Sequence, residues 1–122
     1  MGKQAMLRSY MVKRTPNGRV RFSLHQMAQS QVVELLKEVA TEPAPDGLDD
    51  LAAVVSATSR KLAQELLVRR CFLLTPVAEN RFQLLESEAF GILIILWCDP
   101  LIQYRPAAHT LFQQLHQLLT SS

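Results

Sequence analysis

The run from Ala89 to Cys98, AFGILIILWC, constrains the fold of this chain more than any other feature. It contains no charged residue and only one glycine, Gly91. A helix that crosses a bilayer needs about 20 apolar residues, so this run is about half as long as required. We therefore expect a helix buried in protein. It must end before Pro100, because the residue before a proline disfavours the helical conformation.

Size and composition place this helix in one ordinary globular domain. The chain has 122 residues, of which 48% are hydrophobic and 20% are charged. Its two cysteines, Cys71 and Cys98, form no CxxC pair, which favours buried, reduced thiols over a disulfide. The N-terminus has no apolar signal region. We expect a single cytoplasmic domain over residues 1–122, with no membrane segment.

The N-terminal region predicts a β-hairpin. Two β-rich runs flank Thr15–Gly18, a turn sequence with a proline at its second position and a glycine at its fourth. Side chains alternate between the two faces of a strand. Val20 and Phe22 should therefore pack on one side, while Arg19 and Arg21 point to the other.

Charge is distributed unevenly, although the formal net charge is only +2. Six basic residues precede Glu34, the first acidic residue: Lys3, Arg8, Lys13, Arg14, Arg19 and Arg21. Residues 1–23 are thus predicted to form a basic hairpin arm that attracts phosphate or an acidic protein surface. A solvated hairpin without either partner has the same composition, so both interpretations stand.

Helical periodicity predicts three helices in the first two thirds of the chain. They cover, in order, about residues 24–41, 46–55 and 58–70. Ser56 and Ala57 form a tight turn before the third helix, and Thr58 is a good N-cap for it. Strand-like runs at about residues 71–75 and 81–85 then predict a second hairpin.

Two C-terminal helices, starting near Ser87 and Pro106, complete the predicted fold. Ile92 to Trp97 and a stripe from Leu111 to Leu119 present more apolar surface than a small core easily hides. Residues 87–122 therefore suggest a homodimer interface. The alternative is that these helices close the core of their own domain.

The segment Leu51–Leu66, LAAVVSATSRKLAQEL, carries the most informative pattern. A small residue, Ala52, permits two helices to cross closely, and Ser56 occupies the turn. A polar start to the third helix precedes two apolar anchors, Leu62 and Leu66. With the flanking helix and hairpin, this order resembles the winged helix-turn-helix family of DNA-binding domains.

The resemblance implies a mostly α (α+β) fold, in which residues 24–86 form a winged helix-turn-helix-like core. The third helix would enter the major groove, and the second hairpin would be the wing. Side chains expected to contact bases or phosphates are Thr58, Ser59, Arg60, Lys61 and Gln64, with Arg81 on the wing and Arg19 and Arg21 on the arm.

These residues predict sequence-specific binding of double-stranded DNA by a homodimer, as in a transcriptional or replication regulator. Winged domains also serve as protein-binding modules. The alternative function is therefore an adaptor or complex subunit that docks another protein through its apolar C-terminal helices.

The sequence offers no pattern for catalysis. Its four glycines build no phosphate-binding loop. His109 and His116 lie seven residues apart, about 10 Å along one helix, so they cannot share a metal ion. We expect neither an enzyme nor a bound cofactor or metal.

Overall fold

A computed structural model of the protein describes residues 11–41, 50–68 and 79–121. The predicted strand at residues 71–75, Cys71 and the basic residues Lys3 and Arg8 lie outside these ranges. The described elements, in chain order, are β1 (Val12–Arg14), β2 (Arg19–His25), α1 (Gln26–Thr41), α2 (Asp50–Val68), β3 (Glu79–Leu85), α3 (Glu86–Trp97), a short 3-10 helix (Ile102–Tyr104) and α4 (Pro106–Thr120). The fold is thus mostly helical with a small sheet, which confirms the α+β class.

The predicted N-terminal hairpin is confirmed. The Thr15 N–H donates to the Arg19 carbonyl oxygen at 2.9 Å, and the Gly18 N–H donates to the Thr15 carbonyl oxygen at 3.1 Å. Gly18 has a φ of 78°, a left-handed conformation that glycine adopts without steric cost. The turn therefore fixes β1 antiparallel to β2.

Within the described ranges, the strands form an antiparallel sheet in the order β1-β2-β3. Its inner face carries Val20, Phe22 and Leu24 from β2 and Leu84 from β3, all buried. The rings of Phe22 and Phe82 stack across the two strands with centroids 5.1 Å apart. Helices α1, α3 and α4 pack on the sheet and bury this face.

The capping pattern predicted that the first helix begins near Leu24, but this prediction is wrong. Leu24 belongs to β2, lies opposite Asn80 of β3, and completes the buried row on the inner face. Burial of this leucine in the core outweighs a local capping preference, and α1 begins two residues later, at Gln26.

The prediction of two helices separated by a tight turn is wrong. One uninterrupted helix, α2, spans Asp50–Val68 and passes through Ser56 and Ala57. The segment contains neither glycine nor proline, and serine in a helix costs only a fraction of a kcal/mol, about 0.5 relative to alanine. Nothing in this sequence therefore ends the helix at Ser56.

Helix α2 packs against α1 and α3. Ala63 and Leu66 are buried, and Leu62 lies half-buried against Gly91 of α3. A Cβ atom on Gly91 would overlap the end of the Leu62 side chain, so the glycine allows the two helices to approach closely.

Most of the apolar run in α3 is buried, as its composition predicted, and so is the inner side of α4. Phe90, Trp97 and Cys98 of that run are exposed, so the prediction of a buried thiol at Cys98 is wrong. The buried residues are Ile92, Leu93, Ile95, Leu96, Leu111 and Leu115. For these six side chains, the structure favours closure of the protein's own core over a dimer interface. Helix α3 begins at Glu86, one residue before the predicted cap Ser87, and the Glu88 side chain accepts the Leu85 N–H at 2.9 Å.

A buried ionic cluster fixes the connection between α3 and α4. Arg105 Nη2 donates to both carboxylate oxygens of Glu38 at 3.1 and 3.0 Å, and Arg105 Nε lies 3.3 Å from Asp99 Oδ2. Burial of the guanidinium lowers its pKa, but the hydrogen bond to Glu38 and the surrounding negative charges outweigh this effect. The pKa of Arg105 therefore lies above its ordinary value. The charged guanidinium thus ties this connection to α1.

No helix in the described ranges is both long enough and apolar enough to cross a membrane.

Candidate nucleic-acid interface

The outer face of the sheet carries a cluster of exposed cationic side chains. Strand alternation places them opposite the apolar residues of the inner face. The cationic face consists of Lys13, Arg19, Arg21 and Arg81. Two strands of the predicted arm and one strand of the predicted second hairpin therefore contribute to a single surface.

Strand register determines how these cations are arranged. Arg21 lies opposite Lys13 on β1 and opposite Gln83 on β3, while Arg81 lies opposite Ser23. Neighbouring strands are about 4.8 Å apart, and alternate residues of one strand are about 6.8 Å apart. The Cα atoms of Arg19 and Arg81 should thus lie about 14 Å apart, with Arg21 between them. The cationic face is a compact patch with a long axis along β2.

Three cations of this face, Lys13, Arg19 and Arg21, have no counter-charge among the described residues. Arg14, the neighbouring residue on β1, pairs with Glu86 at 3.2 Å. Among the residues that the structure describes, no carboxylate lies within ion-pair distance of Lys13, Arg19 or Arg21. Like charges without counter-charges, as at Lys13, Arg19 and Arg21, create a positive potential that attracts anions.

The aromatic side chains of the sheet point away from the cationic face. Phe22 is fully buried, and Phe82 stacks on it from the inner side. Among the described outer-face residues there is no Phe, Tyr or Trp. This surface therefore offers charge and hydrogen-bond donors rather than a stacking platform for bases.

The residues predicted for the recognition helix lie elsewhere, on α2. Lys61 and Thr58 are exposed, whereas Ser59 and Arg60 are half-buried. The Gln64 side-chain amide is exposed but donates to the Ala40 carbonyl oxygen of α1 at 3.3 Å. Gln64 is thus bonded to α1, while Arg60 and Lys61 lie within one helical turn of it on the same side of α2.

Helix α2 also lies in a different layer from the cationic face. It packs on α1 and α3, and these two helices pack on the sheet. The structure therefore brings Arg19, Arg21 and Arg81 together and separates them from residues 58–64.

The sequence pattern did not predict Lys13 as a site residue, although Lys13 is one of the six basic residues that precede Glu34. Its place follows from the hairpin: once Thr15–Gly18 is the turn, Lys13 pairs with Arg21 and shares its face. The register of the first hairpin was the signal that could have found it.

The described residues contain no group of three or more His, Cys, Asp or Glu side chains that could hold a metal ion.

No protein-family model matches the chain, and no curated protein or solved structure shows significant similarity to it. The resemblance to winged helix-turn-helix domains therefore stays a prediction.

Proposed function

We propose that this protein binds duplex DNA through the outer face of its β-sheet. The proposal depends on one observation: Lys13, Arg19, Arg21 and Arg81 are exposed on the same face. Duplex DNA carries about one negative charge per 1.7 Å of helix axis, and cations that neutralise phosphates release bound counterions. This release of counterions supplies the free energy of binding.

The composition of the face favours nucleic acid over an acidic protein. Three of its four cations are arginines, whose planar guanidinium groups donate two parallel hydrogen bonds to a phosphate or to a carboxylate, so the preference comes from the other properties of the face. Protein interfaces are usually centred on buried aromatic or arginine anchors, whereas protein–DNA interfaces are more polar and more positively charged. The only large apolar side chain exposed in the described part of this face is Leu85.

The expected role of α2 in reading a DNA sequence has weaker support. In a winged helix-turn-helix domain a short helix and a tight turn set the angle at which the recognition helix enters the groove. Here one helix runs through Ser56. Action as a dimeric regulator that recognises a specific site through residues 58–64 remains a prediction.

Binding should depend on the cationic face and not on total charge. The probe is a duplex of about 20 base pairs, which is two helical turns. At low salt, we expect the affinity of the Arg19→Gln/Arg21→Gln double variant for this duplex to be lower than that of the parent by more than a factor of about ten. Each lost phosphate contact releases about 0.9 fewer counterions. Fluorescence anisotropy of a labelled duplex measures the affinity.

The matched control is Lys37→Gln/Lys61→Gln, which removes the same charge from exposed positions on α1 and α2. Its affinity should stay within about twofold of the parent, because neither lysine lies on the cationic face. A larger loss in this control than in the arginine variant would assign the interface to the helices instead. Absence of duplex binding by the parent chain at low salt would contradict the proposal.

An exposed apolar stripe on α3 favours a second function, docking of a protein partner. Phe90, Ile94 and Trp97 follow one another at helical spacing, with Phe90 49% and Trp97 60% exposed. The Trp97 ring contacts Phe112 and His116 of α4 edge-on, at centroid distances of 5.9 and 5.3 Å. A homodimer through the C-terminal helices would use this stripe, as would an adaptor that binds a different protein.

Trp97 is the only tryptophan of the chain, so its fluorescence reports on this stripe directly. If a second copy covers the stripe, emission should shift to shorter wavelength as concentration rises, together with faster sedimentation. Phe90→Ser should abolish both changes, whereas Met27→Ser, which alters an exposed apolar residue on α1, should not. A monomer at tens of micromolar would eliminate the homodimer.

A further inference from the structure

We infer that the cationic face contacts the sugar-phosphate backbone and does not read base edges, so that binding to duplex DNA is independent of sequence. This inference rests on the proposed function and specifies how the same surface recognises its ligand. It departs from the sequence-based expectation of a site-specific regulator.

The shape of the surface supports backbone contact. The major groove is about 12 Å wide and admits a helix or a two-stranded ribbon. The described sheet has strands on both sides of β2, and its outer backbones are separated by about 10 Å before side chains are added. Such a surface is too broad to enter the groove, so its side chains meet the backbones that border it.

The spacing of the cations suits a row of phosphates. Arg19, Arg21 and Arg81 extend over about 14 Å, and one strand of a duplex has about four phosphates along that length of the helix axis. Lys13 lies beside Arg21 on the neighbouring strand. Lys13, Arg19 and Arg21 can therefore each meet a phosphate without approaching a base.

The orientation of the aromatic rings disfavours single-stranded nucleic acid. Proteins that bind single strands without sequence preference stack bases on exposed aromatic side chains. In this sheet Phe22 and Phe82 instead stack on each other on the inner side. Loss of the stacking contribution leaves the regular, dense charge of a duplex as the better ligand.

Substitutions of Arg21 distinguish backbone contact from base reading. Arg21→Lys loses the paired guanidinium hydrogen bonds but keeps the charge that binds phosphate, so its affinity should fall by no more than about threefold. Arg21→Gln removes the charge and should weaken binding by about tenfold at low salt. The two variants of the full chain are compared by anisotropy on two duplexes of equal length and unrelated sequence, and on one single strand of the same length.

The inference predicts affinities for the two duplexes that agree within about threefold, and weaker binding of the single strand. A difference of more than about tenfold between the duplexes would overturn it. An equal loss of duplex affinity in Arg21→Lys and Arg21→Gln would also overturn it, as would tighter binding of the single strand than of the duplexes. In each of these cases the proposed function would stand if the parent still binds duplex DNA. Failure of the parent to bind either duplex would contradict both this inference and the proposed function.

Discussion

At the scale of single residues, the buried guanidinium of Arg105 imposes the most specific constraint on the fold. Its side chain is 10% exposed and that of its partner Asp99 is 2% exposed. Asp99 also accepts the Leu101 N–H at 3.1 Å, which holds the chain after α3. Because Glu38 completes the cluster from α1, one side chain connects segments that are distant in sequence.

Removal of the Arg105 guanidinium should lower the free energy of unfolding. Arg105→Leu leaves the Asp99 carboxylate buried without its cation, and we expect a loss of about 3–5 kcal/mol in the free energy of unfolding. The matched control is Arg14→Leu, which breaks the exposed pair with Glu86 and should cost at most about 1 kcal/mol. Urea denaturation of both variants measures the difference, and equal losses would show that the Arg105 cluster is not buried as described.

The orientation of single side chains on α2 could not be predicted from the sequence. Arg60, Lys61 and Gln64 have the side chains of a recognition helix, but their orientation depends on which neighbour the helix meets. The bond from Gln64 to the Ala40 carbonyl oxygen joins α2 to α1 across a separation of 24 residues. No local pattern near Gln64 indicates that contact.

At the scale of elements, the continuity of α2 replaces a predicted turn. The capping residues at positions 56–58 suggested a break, because serine and threonine often precede helices. Serine also occurs within helices at small cost, and packing of Ala63 and Leu66 against neighbouring helices stabilises the whole segment. A capping pattern without glycine or proline was insufficient to locate a turn.

Glycine substitution at Ser56 has opposite consequences in a helix and in a turn. In the continuous helix, we expect Ser56→Ala to raise the free energy of unfolding by about 0.5 kcal/mol and Ser56→Gly to lower it by about 0.5 kcal/mol. In a left-handed turn glycine would stabilise instead. Ala57→Gly, a neighbouring exposed position, serves as the control and should cost about 1 kcal/mol. Stabilisation by Ser56→Gly would contradict a continuous α2.

At the scale of the whole molecule, local signals predicted the elements better than their assembly. The first hairpin followed from its turn residues and alternation, and the buried α3 followed from its apolar run. The pairing of β2 with β3 joins strands more than fifty residues apart, and it is this pairing that places Arg81 beside Arg21. Such long-range pairing depends on the packing of several helices, which periodicity in one segment does not encode.

The salt dependence of duplex binding tests the cationic face most directly. If all four cations contact phosphates, the logarithm of the binding constant of the parent chain should fall with the logarithm of salt concentration with a slope of about −3.6. The Arg19→Gln/Arg21→Gln variant should show a slope of about −1.8, and Lys37→Gln/Lys61→Gln should match the parent. A slope left unchanged by the two arginine substitutions would contradict binding through the sheet.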